Sequence, residues 1–122
     1  MALSSKQPRW DIYETVILLE GYLETLQGIQ SKSQIIKRIS ADLRRMAVNR
    51  CVEIDDVYRN ENGVSYQIQS MDSAFKGQKV YVPATKLFTD AVALYRTDNE
   101  GYQKILGEAK GMITVKLSLI HI

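Results

Sequence analysis

Histidine and cysteine are nearly absent from this chain of 122 residues, which carries one of each, His121 and Cys51. A lone thiol excludes an internal disulfide. Without further His or Cys there is no soft-ligand set for a metal and no Cys–His pair for nucleophilic catalysis. A phosphate loop is missing too: Gly63 and Gly77 stand isolated, with no Gly-Lys-Ser/Thr nearby. No apolar run approaches the ~18 residues of a membrane span and no signal-peptide pattern is visible, so the expectation is a cytoplasmic protein of bacterial or phage type with no cofactor and no membrane partner. Strong charge of one sign is lacking as well. The net charge is +2, so any electrostatic argument depends on where the charges lie. The 45% apolar content and the length fit one globular domain.

What the chain does have is helical periodicity. From Trp10 onward Tyr13, Val16, Ile17, Leu19, Tyr22, Leu23 and Leu26 recur at steps of three and four, Asp11 with Glu14 forms a capping-box start, and Gly28 is the stop. Glu14, Glu20 and Glu24 are placed on the outer, acidic side of this helix. A second helix over about 33–49, capped by Ser31 or Ser33, puts Ile35, Ile36, Ile39, Leu43, Met46 and Ala47 inward. Lys37, Arg38, Arg44 and Arg45 fall opposite as a basic stripe interrupted by Asp42. Pro83-Ala84-Thr85 opens a helix through Tyr95, and Asp98 or Asn99 caps a last one with Tyr102, Ile105, Leu106 and Ala109 inward.

The middle of the chain is ambiguous. Residues 53–58 read as a short acidic helical turn, in which Asp55 and Asp56 cap or solvate and do not form a catalytic acid pair. After the Asn60-Glu61-Asn62-Gly63 break, Val64, Tyr66 and Ile68 alternate with Ser65, Gln67 and Gln69 as a strand would. Val64, Ile68 and Met71 also sit at helical steps with Asn62 as cap. A strand would make a short β-hairpin over 64–82 with Lys79-Val80-Tyr81-Val82.

Trp10 opening a helix with Leu18, Leu19 and Tyr22, then Ile39-Ser40 with Leu43-Arg44, and above all Tyr58-Arg59-Asn60-Glu61-Asn62-Gly63-Val64 carry a family resemblance. The run from Trp10 to about Tyr95 resembles a small helical domain at the amino end of bacterial restriction and defence proteins, often ahead of an HNH-type nuclease module. The resemblance implies a helix after the Asn-Gly break and a domain that helps engage DNA while cleavage belongs downstream. The chain departs from the pattern after Gln69, where Ser70-Met71-Asp72 replaces the usual amide and aromatic ending, and it carries no nuclease motif.

The expected fold is therefore mainly α: a compact multi-helix domain over 10–116 with a helix-turn-helix-like core, after a flexible 1–9. Residues 117–122, Leu-Ser-Leu-Ile-His-Ile, look like translated read-through of a transposon adapter used in sequencing, which implies that the natural gene continues beyond about Lys116. The expected function is non-catalytic binding of double-stranded DNA, with Lys37, Arg38, Arg44, Arg45 and Arg59 on phosphates, Arg59 at the mouth of the turn, and Asn60 also in the nucleic-acid-binding set. Ser65, Gln67 and Gln69 would face base edges. Arg59 has an alternative partner in Asp55, one turn earlier, and Tyr66 either stacks or joins the core. The rival function is a small phage or mobile-element inhibitor that uses the basic stripe against a defence enzyme.

Overall fold

The computed structural model describes residues 8–114, and the adapter-like tail lies outside them. Five helices follow one another: α1 (Ile12–Gln27), α2 (Lys32–Asn49), α3 (Glu61–Lys76), α4 (Lys86–Thr97) and α5 (Asn99–Thr114). No strand occurs among the described residues. The hairpin alternative is thus excluded, and the cause lies in α3 itself. Val64, Ile68 and Met71 are buried at helical steps, whereas Tyr66, which alternation would place with Val64 and Ile68, is 53% exposed. Asn60, not Asn62, is the cap, its side chain accepting from the Gly63 amide.

Helix α1 is the hub. It packs against all four other helices, and its continuous run Val16-Ile17-Leu18-Leu19 is buried on every side, as expected for a helix without a polar face. The predicted capping box forms, with Asp11 and Glu14 exchanging bonds to each other's backbone amides. Gly28 ends the helix in the left-handed conformation. Gly21 admits α2 at close range: a Cβ there would stand 2.9 Å from Ile39 Cγ1.

The predicted inward faces of α2 and α5 are buried, apart from half-buried Ile105. Ser31 caps α2, and Thr85 caps α4. The aromatic edges Trp10–Phe88 and Tyr95–Tyr102 close the core beside α1.

A helix-turn-helix arrangement of α2 and α3 is not what forms. Their connection spans residues 50–60, far longer than the ~3–4-residue turn of that motif. Ser40 Oγ, midway along α2, donates to the carbonyl of Arg59 at the end of that connection, and Ser33 and Ile36 of α2 line one crease with Asn62 and Ser65 of α3. The expected acidic helical turn is instead a non-helical loop in which the Asp55 side chain accepts the Val57 and Tyr58 amides.

Candidate functional site

Arg59 sits at the opposite pole from a phosphate contact. Its side chain and that of Glu14 are 3% and 5% exposed, with Nε 2.8 Å from Glu14 Oε2 and Nη2 3.1 Å from Oε1. The guanidinium stacks over Trp10 and Tyr58, at 4.7 and 4.5 Å from the ring centroids, and donates to the Pro8 and Arg9 carbonyls. The Tyr58 hydroxyl donates to Glu14 as well, at 3.0 Å. Neither Asp55 nor solvent is its partner, and Glu14 is not on an outer face. The network locks the start of α1 to the start of α3.

The remaining acids of α1 are matched in the same way. Glu20 accepts from the Tyr102 hydroxyl at 2.9 Å, and Glu24 takes both guanidinium nitrogens of Arg38. Arg44 donates to the carbonyls of Asp55 and Tyr58, holding that loop onto α2. Asp42 is half-buried between Arg38 and Arg45. Burial raises its carboxyl above the ordinary value, against the pull of both arginines. Of the predicted stripe, Lys37 and Arg45 are exposed and form no ion pair among the described residues. The net charge of +2 resides in Lys6 and Lys116, so residues 8–114 carry equal numbers of acids and bases.

The predicted base-reading set is divided as well. Asn60 is consumed as a cap. Ser65 and Gln69 are one turn apart on one side of α3, but Gln67 is rotated by about 200° from Gln69, so it belongs to another flank. Closeness in sequence alone does not put the three on one face of a helix. Tyr66 is exposed and so not a core residue.

What the packing does assemble is a cleft of about 580 Å³ that sequence reasoning missed. Tyr22, Thr25 and Leu26 of α1 line it with Lys32 of α2, Ile68, Gln69 and Asp72 of α3, and Tyr81 of the loop that follows. A shallower crease of about 360 Å³ continues past Lys32 along Ser33, Ile36, Glu61, Asn62 and Ser65. The cleft volume falls within the ~300–1,000 Å³ typical of ligand-binding clefts.

The cleft carries exposed apolar surface: Leu26 is 54% and Tyr81 79% exposed, with Ile29 at 78% on the adjoining turn. The backbone on either side of Tyr81 is held to α3. Ser73 Oγ accepts the Val80 amide at 3.0 Å and donates to the Val82 carbonyl at 2.6 Å, while Ser70 Oγ donates to the Pro83 carbonyl. Deeper in, the Tyr22 hydroxyl donates to Asp72 at 2.6 Å. Burial, with the Asp72 hydrogen bond and charge, raises the Tyr22 pKa well above that of a free phenol. The signal that could have shown this site was the placing of Ile29 and Tyr81 outside the helices, beside Leu26 in the last turn of α1, where apolar side chains have no core to enter.

Among the described residues no group of three or more His, Cys, Asp or Glu could hold a metal ion, and no helix is long and apolar enough to cross a membrane. Compared with known families, curated proteins and solved structures, the chain matches none.

Proposed function

We propose that this domain is a non-catalytic docking module that receives a segment of a protein partner in the cleft between α1, α3 and Tyr81. In the defence setting that the resemblance implies, it would be the recognition part and leave catalysis to another module. The single observation that carries this reading is the exposed Leu26 and Tyr81 on the rim of a preformed 580 Å³ cleft. Apolar side chains grouped around a concavity mark interaction sites, and backbone already held on either side of Tyr81 lowers the ordering cost of binding there. The test is selection of a random library of peptides of about twelve residues on the full chain and on its Leu26→Ser/Tyr81→Ser variant. The reading expects a bound pool that the variant does not retain. Identical pools on the two proteins would contradict it.

A second reading, double-stranded DNA bound through α2, is favoured by Lys32, Lys37 and Arg45, which are exposed and make no ion pair among the described residues. Three phosphate contacts give a logarithmic salt slope of about −2.7. Anisotropy of a labelled duplex across roughly 50–200 mM salt measures it. A slope of that size that flattens by about 2 in Lys37→Ala/Arg45→Ala would place DNA first.

A further inference from the structure

We infer that the occupant of the cleft is an acidic, amphipathic peptide segment, with an apolar side chain seated between Leu26 and Tyr81 and a carboxylate on the ammonium of Lys32. This rests on the docking reading and adds the chemistry of the partner. Charge complementarity carries it. Lys32 is exposed, borders both the larger cleft and the shallower crease, and forms no ion pair among the described residues. The other charge on the larger cleft, Asp72, already receives the Tyr22 hydroxyl at 2.6 Å and the Lys76 ammonium at 3.2 Å. The cleft thus offers one unopposed positive charge beside an apolar wall. Glu61 borders the crease beyond Lys32, so the matching acid belongs beside the anchor and not along the whole occupant.

Two other occupants fit these groups less well. In a second copy of this chain, the turn that could enter the cleft offers Leu26 and Ile29 with Gln27, Gly28, Gln30 and Ser31, but no carboxylate for Lys32. A single nucleic-acid strand could stack a base on Tyr81 and place a phosphate on Lys32. However, the Asp72 carboxylate shares that wall, and exposed Leu26 presents aliphatic surface in place of a further stacking face.

The test extends the peptide selection to a Lys32→Glu variant, with circular dichroism confirming that each variant keeps its helices. The pool bound by the intact chain is expected to be enriched in Asp and Glu beside Leu, Ile, Phe or Trp, and the Lys32→Glu pool in Lys and Arg instead. A synthetic peptide from the first pool should bind the intact chain at least tenfold more tightly than either Lys32→Glu or Tyr81→Ser. A cleft-dependent pool without acidic bias, or one unmoved by Lys32→Glu, overturns the acidic partner and leaves the docking reading standing. Pools that are the same on intact and Leu26→Ser/Tyr81→Ser protein overturn both. Tyr81-dependent binding of an oligothymidylate, or a dimer in sedimentation that Tyr81→Ser abolishes, replaces the peptide by a nucleic acid or a second copy.

Discussion

Replacing Arg59 by Ala removes one half of an ion pair whose side chains are 3% and 5% exposed. Glu14 would keep the Tyr58 hydroxyl and the Asp11 amide but would have no positive charge beside it in a site shielded from water. Breaking a buried pair from one side costs about 3–5 kcal/mol, a large part of the ~5–15 kcal/mol by which domains are stable. At roughly 4 °C per kcal/mol for a domain of this size, the melting temperature should fall by about 12–20 °C. Arg59 adopts a left-handed backbone, φ +46°, which a Cβ makes costly, so Arg59→Gly should lose about 1 kcal/mol less than Arg59→Ala. A Glu14→Leu/Arg59→Met pair, which removes both charges and keeps the volume, should recover most of the loss. The assay is thermal and urea unfolding followed by circular dichroism. A drop under about 4 °C in Arg59→Ala, less than ~1 kcal/mol, would refute the reasoning and return Arg59 to the surface as a phosphate contact.

Two further outcomes follow from the same packing. Cys51 ends α2 with φ +61°, and the Val52 amide reaches back to the Ala47 carbonyl at 2.9 Å, a helix end that suits glycine. Cys51→Gly should therefore raise stability by about 1 kcal/mol in urea unfolding, and no gain would mean the left-handed turn is not formed. Burial foremost, then the Glu14 charge, raise the Tyr58 hydroxyl to about 12. Tyr22 and Tyr102 shift in the same direction, again mainly through burial. The folded state thus favours the protonated phenols: the stability they contribute is complete below about pH 10 and is lost as pH rises toward 12 and beyond. Tyrosinate absorbance assigned to these three by Tyr→Phe variants should appear together with the loss of helical signal. Titration of all three while the helices persist would contradict the packing around them.

The helices were legible because their signals are local. The Asp11–Glu14 box, Gly28 as a stop, Ser31 as a cap and the inward set of α2 each rest on residues within a few turns of one another, and chain geometry alone brings them together. Arg59 was not legible, since its partner is 45 residues away and a charged pair buried by tertiary packing leaves no periodic trace. The same holds for Glu14: a capping box needs only its backbone neighbours, and nothing local shows that α1 is enclosed on all sides. The four-residue run Val16-Ile17-Leu18-Leu19 was the available hint of all-round burial. The grouping of the base-reading set was not legible for a different reason. Ser65, Gln67 and Gln69 share a face only in a strand, and once 61–76 is a helix they separate. The cleft joins two stretches distant in sequence, Tyr22 to Lys32 and Ile68 to Tyr81, so only the packing of α1 against α3 reveals it.

The central claim, that the cleft and not the basic face of α2 is the working surface, is tested most directly by amide chemical-shift mapping on the full chain. An acidic amphipathic peptide selected as above and a short DNA duplex are titrated separately. The account predicts that the peptide moves the amides of Leu26, Lys32, Gln69, Asp72 and Tyr81, while the duplex moves little. Shifts confined to Lys37–Val48, produced by the duplex and not by the peptide, would contradict it.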